Sequence, residues 1–166
     1  MITDAITSEH PSVHWQHMLL PPGTVLDLGC GWDQKAERGT GETTAAWFAG
    51  RGSSVFGVDC DFVDLVTVAR QTPGTYVCLV INSVETIRAL VHLVQPSAIK
   101  CDIEGAEEFL FHALLPPSVL ELAIECHNPL LEQLCLEWMR QQDFEVVACQ
   151  PLSAHPTIKV ITARRT

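Results

Sequence analysis

Two short stretches carry residue types that can do acid–base chemistry. The first is AIKCDIEGAE, residues 98–107, where an apolar, strand-like run stops at Asp102, Glu104, Gly105 and Glu107. The second is VLELAIECH, residues 119–127, which closes on Glu125 and His127. An unperturbed imidazole titrates at about 6.5, so His127 can act as a general base near neutral pH. Glu125 can orient that ring, or take the proton itself if burial raises its pKa. Asp102 and Glu104 can accept hydrogen bonds from hydroxyls of a bound molecule. Plainer roles compete with these. Acids after a strand can be loop solubilisers, and His127 can be a satisfied strand-end histidine. Glu107 and Glu108 begin a helix, whose dipole favours acids by about 0.3–1 kcal/mol, and for Glu108 that account suffices. Gly105 can answer a turn requirement alone.

Short apolar runs alternate with helix-like segments along the chain, the pattern of a parallel α/β sheet. Strands are expected at 24–30, 54–59, 75–81, 97–103 and 119–126, with helices at 42–50, 61–71, 83–94, 106–115 and 129–142. Residues 144–149 and 157–163 can then pair as an antiparallel hairpin across PLSAHP. Residues 1–22 form an N-terminal helical segment, with a short helix at 12–20 capped by Ser12 and ended by Pro21-Pro22-Gly23. Residues 23–166 form the core. Right-handed crossovers make this a doubly wound sheet with helices on both faces. Ligands of such sheets bind beyond the carboxyl ends of the strands. Asp102, Glu104, Glu125 and His127 all fall at those ends.

A length of 166 residues argues for a single domain. Apolar residues make up 47% of the chain and charged residues 18%, which suits a well-covered sheet and argues against disorder. The formal charge of −10, with no Lys/Arg-rich run, makes nucleic acid a poor partner. The seven cysteines are odd in number and form no C-x-x-C pair, so they read as reduced thiols of a cytoplasmic protein. The N-terminus has no signal-peptide pattern, and no apolar run is long enough to span a bilayer, so no membrane association is expected. His10, His14 and His17 have a spacing suggestive of one helical face, but Pro11 interrupts any helix through His10. Trp15 and Trp32 can line a pocket, although such aromatics usually pack in the core.

The first strand runs into Asp27-Leu28-Gly29-Cys30-Gly31, and the second ends at Val58-Asp59. Two glycines after a strand allow a tight turn and close approach of backbone to a ligand. An acid one β–α unit later can accept hydrogen bonds from ribose hydroxyls. The plain alternative is a tight turn and a helix cap. Gly39-Thr40-Gly41 is followed by Glu42, not Lys, so it is no phosphate-binding P-loop. Gln34 stands where a dinucleotide fingerprint wants its third glycine, which disfavours an NAD oxidoreductase. The D-x-G-x-G ending resembles the first motif of class I S-adenosylmethionine-dependent methyltransferases. That resemblance implies that Asp27, Gly29 and Gly31 form the loop around the methionine part, that Asp59 holds the ribose, and that Asn82 lies near the adenine. Residues 32–38 lengthen the turn beyond the usual pattern.

The fourth-strand stretch resembles the FkbM-type methyltransferases, whose core is a Lys-x-Asp-x-Glu-Gly-Ala-Glu run followed by a helix and a strand closing on Glu-x-His. The matching residues are Lys100, Asp102, Glu104, Gly105, Ala106, Glu107, Glu125 and His127. The resemblance implies a Rossmann-like fold with a mostly parallel seven-stranded sheet in the order 3-2-1-4-5-7-6. It also implies S-adenosylmethionine as cofactor and methylation of a hydroxyl on a sugar, lipid-linked or natural-product acceptor. Asp102 and Glu104 would bind acceptor hydroxyls or complement the cofactor's sulfonium and ammonium groups. A Mg²⁺ variant draws Asp102, Glu125, His127 and Asn128 together. Alternation along a strand points successive side chains to opposite faces, so no metal ligand is assigned. A catalytically silent partner subunit remains the other class of reading. The chain has little beyond the core sheet, and a second copy in a homodimer could supply a missing wall.

Overall fold

A computed structural model describes residues 15–31, 43–152 and 155–166. In chain order the elements are β1 (Thr24–Leu28), α1 (Thr44–Ala49), β2 (Ser54–Asp59), α2 (Phe62–Gln71), β3 (Thr75–Cys78), α3 (Val84–Val94) and β4 (Ala98–Cys101). They continue with α4 (Glu108–Phe111), β5 (Glu121–Cys126), α5 (Pro129–Gln141), β6 (Phe144–Pro151) and β7 (Lys159–Arg165). The sheet order is β3-β2-β1-β4-β5-β7-β6, as expected. The first five strands are parallel, and β7 runs antiparallel to both β5 and β6.

Every residue of β4 and β5 is buried, because helices cover both faces of the sheet centre. Alternate residues feed two separate cores. Leu26, Leu28, Ile99, Leu122 and Ile124 pack with Ile87 and Leu90 of α3 and with Leu131 and Trp138 of α5. Val25, Ala98, Ala123 and Val160 pack on the other face with Trp15 and with Trp47 and Phe48 of α1. Side chains cap the helices that start beside the ligand edge: Thr43 caps α1, Asp61 caps α2 and Ser83 caps α3.

Several elements differ in extent from expectation. β1 and β4 stop at Leu28 and Cys101 because the chain turns at Gly29 and after Asp102. β3 ends at Cys78, since its only neighbour β2 ends at Asp59 and the last amide, that of Leu79, is taken by the Asp59 carbonyl at 2.8 Å. Helix α4 is a single turn rather than a helix over 106–115. Its continuation is captured from α5: Gln142 accepts from the Leu115 amide at 2.8 Å, and Gln142 and Trp138 both donate to the Ala113 carbonyl. β5 starts two residues late, after a Pro116–Val119 turn. β6 and β7 run on to Pro151 and Arg165, with a register shift between Val146 and Ala148. The N-terminal helix reaches no further than a turn at 15–17, because the Leu19 and Leu20 amides bond Glu121 and Leu20 has φ of 55°. His10, His14, Trp32, Gln34 and the glycines at 39 and 41 lie outside the described residues. All seven cysteines are unpaired. Among the described residues no helix is long and apolar enough to cross a membrane.

Candidate active site

Gly29 ends β1 with φ of 73°, a region that favours glycine. A Cβ there would run into the backbone oxygen of Asp102, so the first glycine lets the β1 turn lie directly on the chain leaving β4. The Gly29 and Cys30 amides both donate to the Val58 carbonyl, at 2.8 and 3.2 Å, which draws the turn towards the end of β2. A Cβ on Gly31 would lie 2.7 Å from Asp59 Oδ2. The second glycine and the second-strand acid therefore meet. Asp59 Oδ1 accepts from the Asp61 amide at 2.8 Å, and Asp61, not Asp59, caps α2. Asn82 is exposed, immediately before the Ser83 cap.

Asp27 is fully buried beneath this turn. Its Oδ2 accepts from the Thr44 hydroxyl at 2.9 Å, and its Oδ1 forms an ion pair with Lys100 Nζ at 3.1 Å without hydrogen-bond alignment. Lys100 Nζ also donates to the Gly29 carbonyl at 2.5 Å. Burial works against the ammonium, but Asp27 and Asp102 outweigh it and hold the Lys100 pKa above its ordinary value. The charged pair braces the turn from below. Lys100 was matched only as part of the FkbM-like run, with no role assigned, although a lysine inside an otherwise apolar central strand is an unusual placement.

The turn after β4 is built from two left-handed residues, Glu104 with φ of 52° and Gly105 with φ of 96°. For Glu104 this conformation costs about 1–2 kcal/mol. The turn folds the chain back onto itself. Glu107, fully buried, accepts through Oε1 from the amides of Ile103 at 3.3 Å and Gly105 at 3.2 Å. The same oxygen lies 2.9 Å from His127 Nδ1, while Oε2 is buried without a hydrogen-bond partner. On the far side of the ring, His127 Nε2 faces Glu104 Oε2 at 3.5 Å, Glu125 Oε1 at 3.6 Å and Asp102 Oδ1 at 3.7 Å. Strand ends and turn thus gather Asp102, Glu104, Glu125 and His127 at one point, as the spacing suggested.

These contacts set the charges. The hydrogen bond to Glu107 and the surrounding carboxylates lift the His127 pKa to about 9 against the pull of partial burial. Glu107 is held below its usual range, since the His127 and backbone hydrogen bonds outweigh its burial. Burial and the Asp102 charge push Glu125 up to about 7. Burial also raises Asp102, against the pull of Lys100 and His127. The ordinary imidazole pKa that recommended His127 does not survive in this setting. Glu107 was read as a helix-start acid, and its proximity to a distant histidine has no local sequence signal. Asn128 does not join the cluster as a ligand would. It caps α5, its Oδ1 accepting from Leu130 and Leu131, both at 3.0 Å. A groove of about 160 Å³ between α4 and α5 contains none of the site residues.

No protein-family model matches the chain, and no curated protein matches it. Solved structures do. A precorrin-6y C5,15-methyltransferase from Geobacter metallireducens superposes with a TM-score of 0.58 at 15% identity, covering 93% of this chain and 86% of that one. A ribosomal-protein methylase from Lactobacillus delbrueckii gives 0.58 at 13% identity, with coverage of 93% and 76%. The magnesium protoporphyrin IX methyltransferase of Synechocystis, with S-adenosylmethionine bound, gives 0.56 at 14% identity, with coverage of 86% and 69%. The chain has the class I methyltransferase fold. The FkbM resemblance rests on the residues of the β4 turn and the β5 end alone.

Proposed function

We propose that this protein is an S-adenosylmethionine-dependent methyltransferase acting on a hydroxyl oxygen of a sugar or other small polar acceptor. One observation carries the reading: the glycine turn and the acid–histidine cluster are packed against each other. The backbone of Asp102 fills the space a side chain on Gly29 would need. A ligand held by the turn would therefore present its reactive end to Asp102, Glu104, Glu125 and His127. The residues fit the cofactor. Gly31 leaves room beside the Asp59 carboxylate, whose Oδ2 is the oxygen nearest that gap. When bound, S-adenosylmethionine supplies an electrophilic methyl group.

The chain's own residues must align the acceptor, restrain water and remove a proton. Alignment alone can be worth several kcal/mol. Asp102 and Glu104 suit hydroxyl binding because both carboxylates border the open side of the cluster. His127, with a pKa of about 9, carries its proton at neutral pH and contributes positive charge and a donor at Nε2. Glu125, at about 7, is the carboxylate poised to accept a proton near neutrality. Glu107 holds the imidazole through Nδ1. The solved relatives of this fold act on a precorrin, a ribosomal protein and a porphyrin by their names, so the acceptor class rests on the FkbM-like motif. The same reading makes the protein cytoplasmic, with a homodimer as the assembly in which a second copy completes the acceptor wall.

Calorimetric titration with S-adenosylmethionine tests the first half. Saturable binding is expected, and Asp59→Ala should weaken it by on the order of tenfold, as loss of a charged hydrogen-bond partner does. Absence of heat and of any thermal shift at millimolar ligand would remove the reading. Transfer of a labelled methyl group to a panel of glycosides tests the acceptor.

A further inference from the structure

The cysteines fall into two classes. Cys30, Cys101, Cys126 and Cys135 are buried, whereas Cys60, Cys78 and Cys149 are exposed. Cys60 and Cys78 meet at the ligand edge. The parallel register of β2 and β3 sets Cys78 opposite Asp59, the residue just before Cys60. Strands about 4.7–4.9 Å apart, with a step of roughly 3.3 Å per residue, put the Cα atoms of Cys60 and Cys78 about 6 Å apart. A disulfide spans roughly 4.4–6.8 Å between Cα atoms. The Cys78 thiol already rests on the Cys60 carbonyl, at 3.6 Å. The ladder ends here with the Leu79 amide on the Asp59 carbonyl, and the chain bends at Cys60, so its exposed side chain has room to turn towards β3. Cys149, on β6, faces Ile161 of β7 instead.

We propose that Cys60 and Cys78 are a thiol pair that closes reversibly to a disulfide by exchange with a small-molecule disulfide, and that closure loosens the grip of Asp59 on a ligand. One protein thiolate attacks the small disulfide and expels a thiolate, leaving a mixed disulfide. The second protein thiolate then attacks the protein sulfur of that bond and expels the other small thiolate. Two protein thiols are oxidised, one small disulfide is reduced to two thiols, and the two protein protons end on those thiols. Excess small thiol runs the exchange backwards. An exposed disulfide is reduced readily, which suits a reversible pair better than a structural one. The link to Asp59 is local. Asp59 Oδ1 accepts from the Asp61 amide at 2.8 Å, so the turn that carries Cys60 also sets that carboxylate. Drawing Cys60 towards β3 moves the turn.

The effect on the cofactor rests on the methyl-transfer reading, whereas the bond does not, and the two are read separately. The full chain is treated with excess glutathione disulfide, its remaining thiols are blocked, and it is digested with trypsin. Arg51, Arg70 and Arg88 bound two peptides, 52–70 and 71–88, each with a single cysteine. Mass spectrometry should find these two peptides cross-linked, lighter than their sum by two hydrogens and parted by dithiothreitol. Cys149 should carry only a glutathione adduct, and in folded Cys60→Ser so should Cys78. Adducts on both Cys60 and Cys78 without the cross-link, or neither residue modified, would overturn the proposal. Calorimetry should find S-adenosylmethionine bound on the order of tenfold more weakly by the oxidised chain, as loss of the Asp59 hydrogen bonds would give. Dithiothreitol should restore the affinity, and the double variant Cys60→Ser, Cys78→Ser should not respond to the treatment. Equal affinity in cross-linked and reduced chains would overturn the link to Asp59. Absence of binding to the reduced chain would instead remove the methyl-transfer reading, while the cross-link alone decides the bond.

Discussion

The residue with the most to explain is His127. Its ring is held between Glu107 at Nδ1 and three carboxylates at Nε2, and its pKa rises from an ordinary 6.5 to about 9. Glu125 rises from 4.5 to about 7. Both folded values exceed the unfolded ones, so the folded chain binds more protons and loses stability as pH rises. The Glu125 contribution is full below pH 4.5 and is lost as pH rises through about 7. The His127 contribution is full below pH 6.5 and is lost as pH rises through about 9. Glu107, held low, acts oppositely and costs stability only when acid protonates it. Thermal melts should therefore decline between pH 6.5 and 9, and His127→Gln should flatten that limb relative to the parent. Parallel curves for parent and variant would show that the ring's charge is not coupled to folding.

At the scale of elements, the end of β5 separates a cluster residue from a cap. Asn128 follows His127 directly and from sequence was a metal-ligand candidate. Its Oδ1 instead accepts from both Leu130 and Leu131. Asn128→Ala should cost about 1 kcal/mol by urea denaturation, as loss of a helix cap does. An unchanged urea midpoint would show that the Asn128 cap adds nothing to the stability of α5. The same neighbourhood shows what the sequence could and could not disclose. The alternation of β and α, and the position of Asp59, Asp102 and His127 at or just beyond strand ends, were legible because apolar runs and Gly/Pro punctuation are local signals. The single turn of α4 was not, because Gln142 and Trp138, more than 20 residues later, take the groups that would have continued it. Glu107 was hidden for a related reason. Only the left-handed pair Glu104-Gly105 swings it inward, and a glutamate two residues after a glycine reads as an ordinary first-turn acid.

At the scale of the molecule, the edge opposite the site is tied down by one acid. Glu121, the first residue of β5, accepts from the Leu19 amide and from Arg164 Nε, both at 2.9 Å, and from the Leu20 amide at 2.8 Å. Arg164 also donates to the His17 carbonyl at 2.6 Å. This strap holds Trp15 against the sheet face from which Lys100 projects, with the ammonium 5.3 Å from the ring centre. Through Trp15, Lys100 and Asp27 the strap reaches the underside of the glycine turn, so its loss should be felt at both edges. Glu121→Ala leaves two amides and a guanidinium without their acceptor and should destabilise the chain by about 3 kcal/mol. Protease cleavage before Gly23 should then appear at denaturant concentrations where the parent is intact. Under the proposed function S-adenosylmethionine should restore much of that resistance, because a ligand of the folded state stabilises it by mass action. An unchanged denaturation midpoint would show that the N-terminal segment only lies on the sheet. A lowered midpoint with S-adenosylmethionine affinity equal to the parent's would show that the strap and the turn are independent.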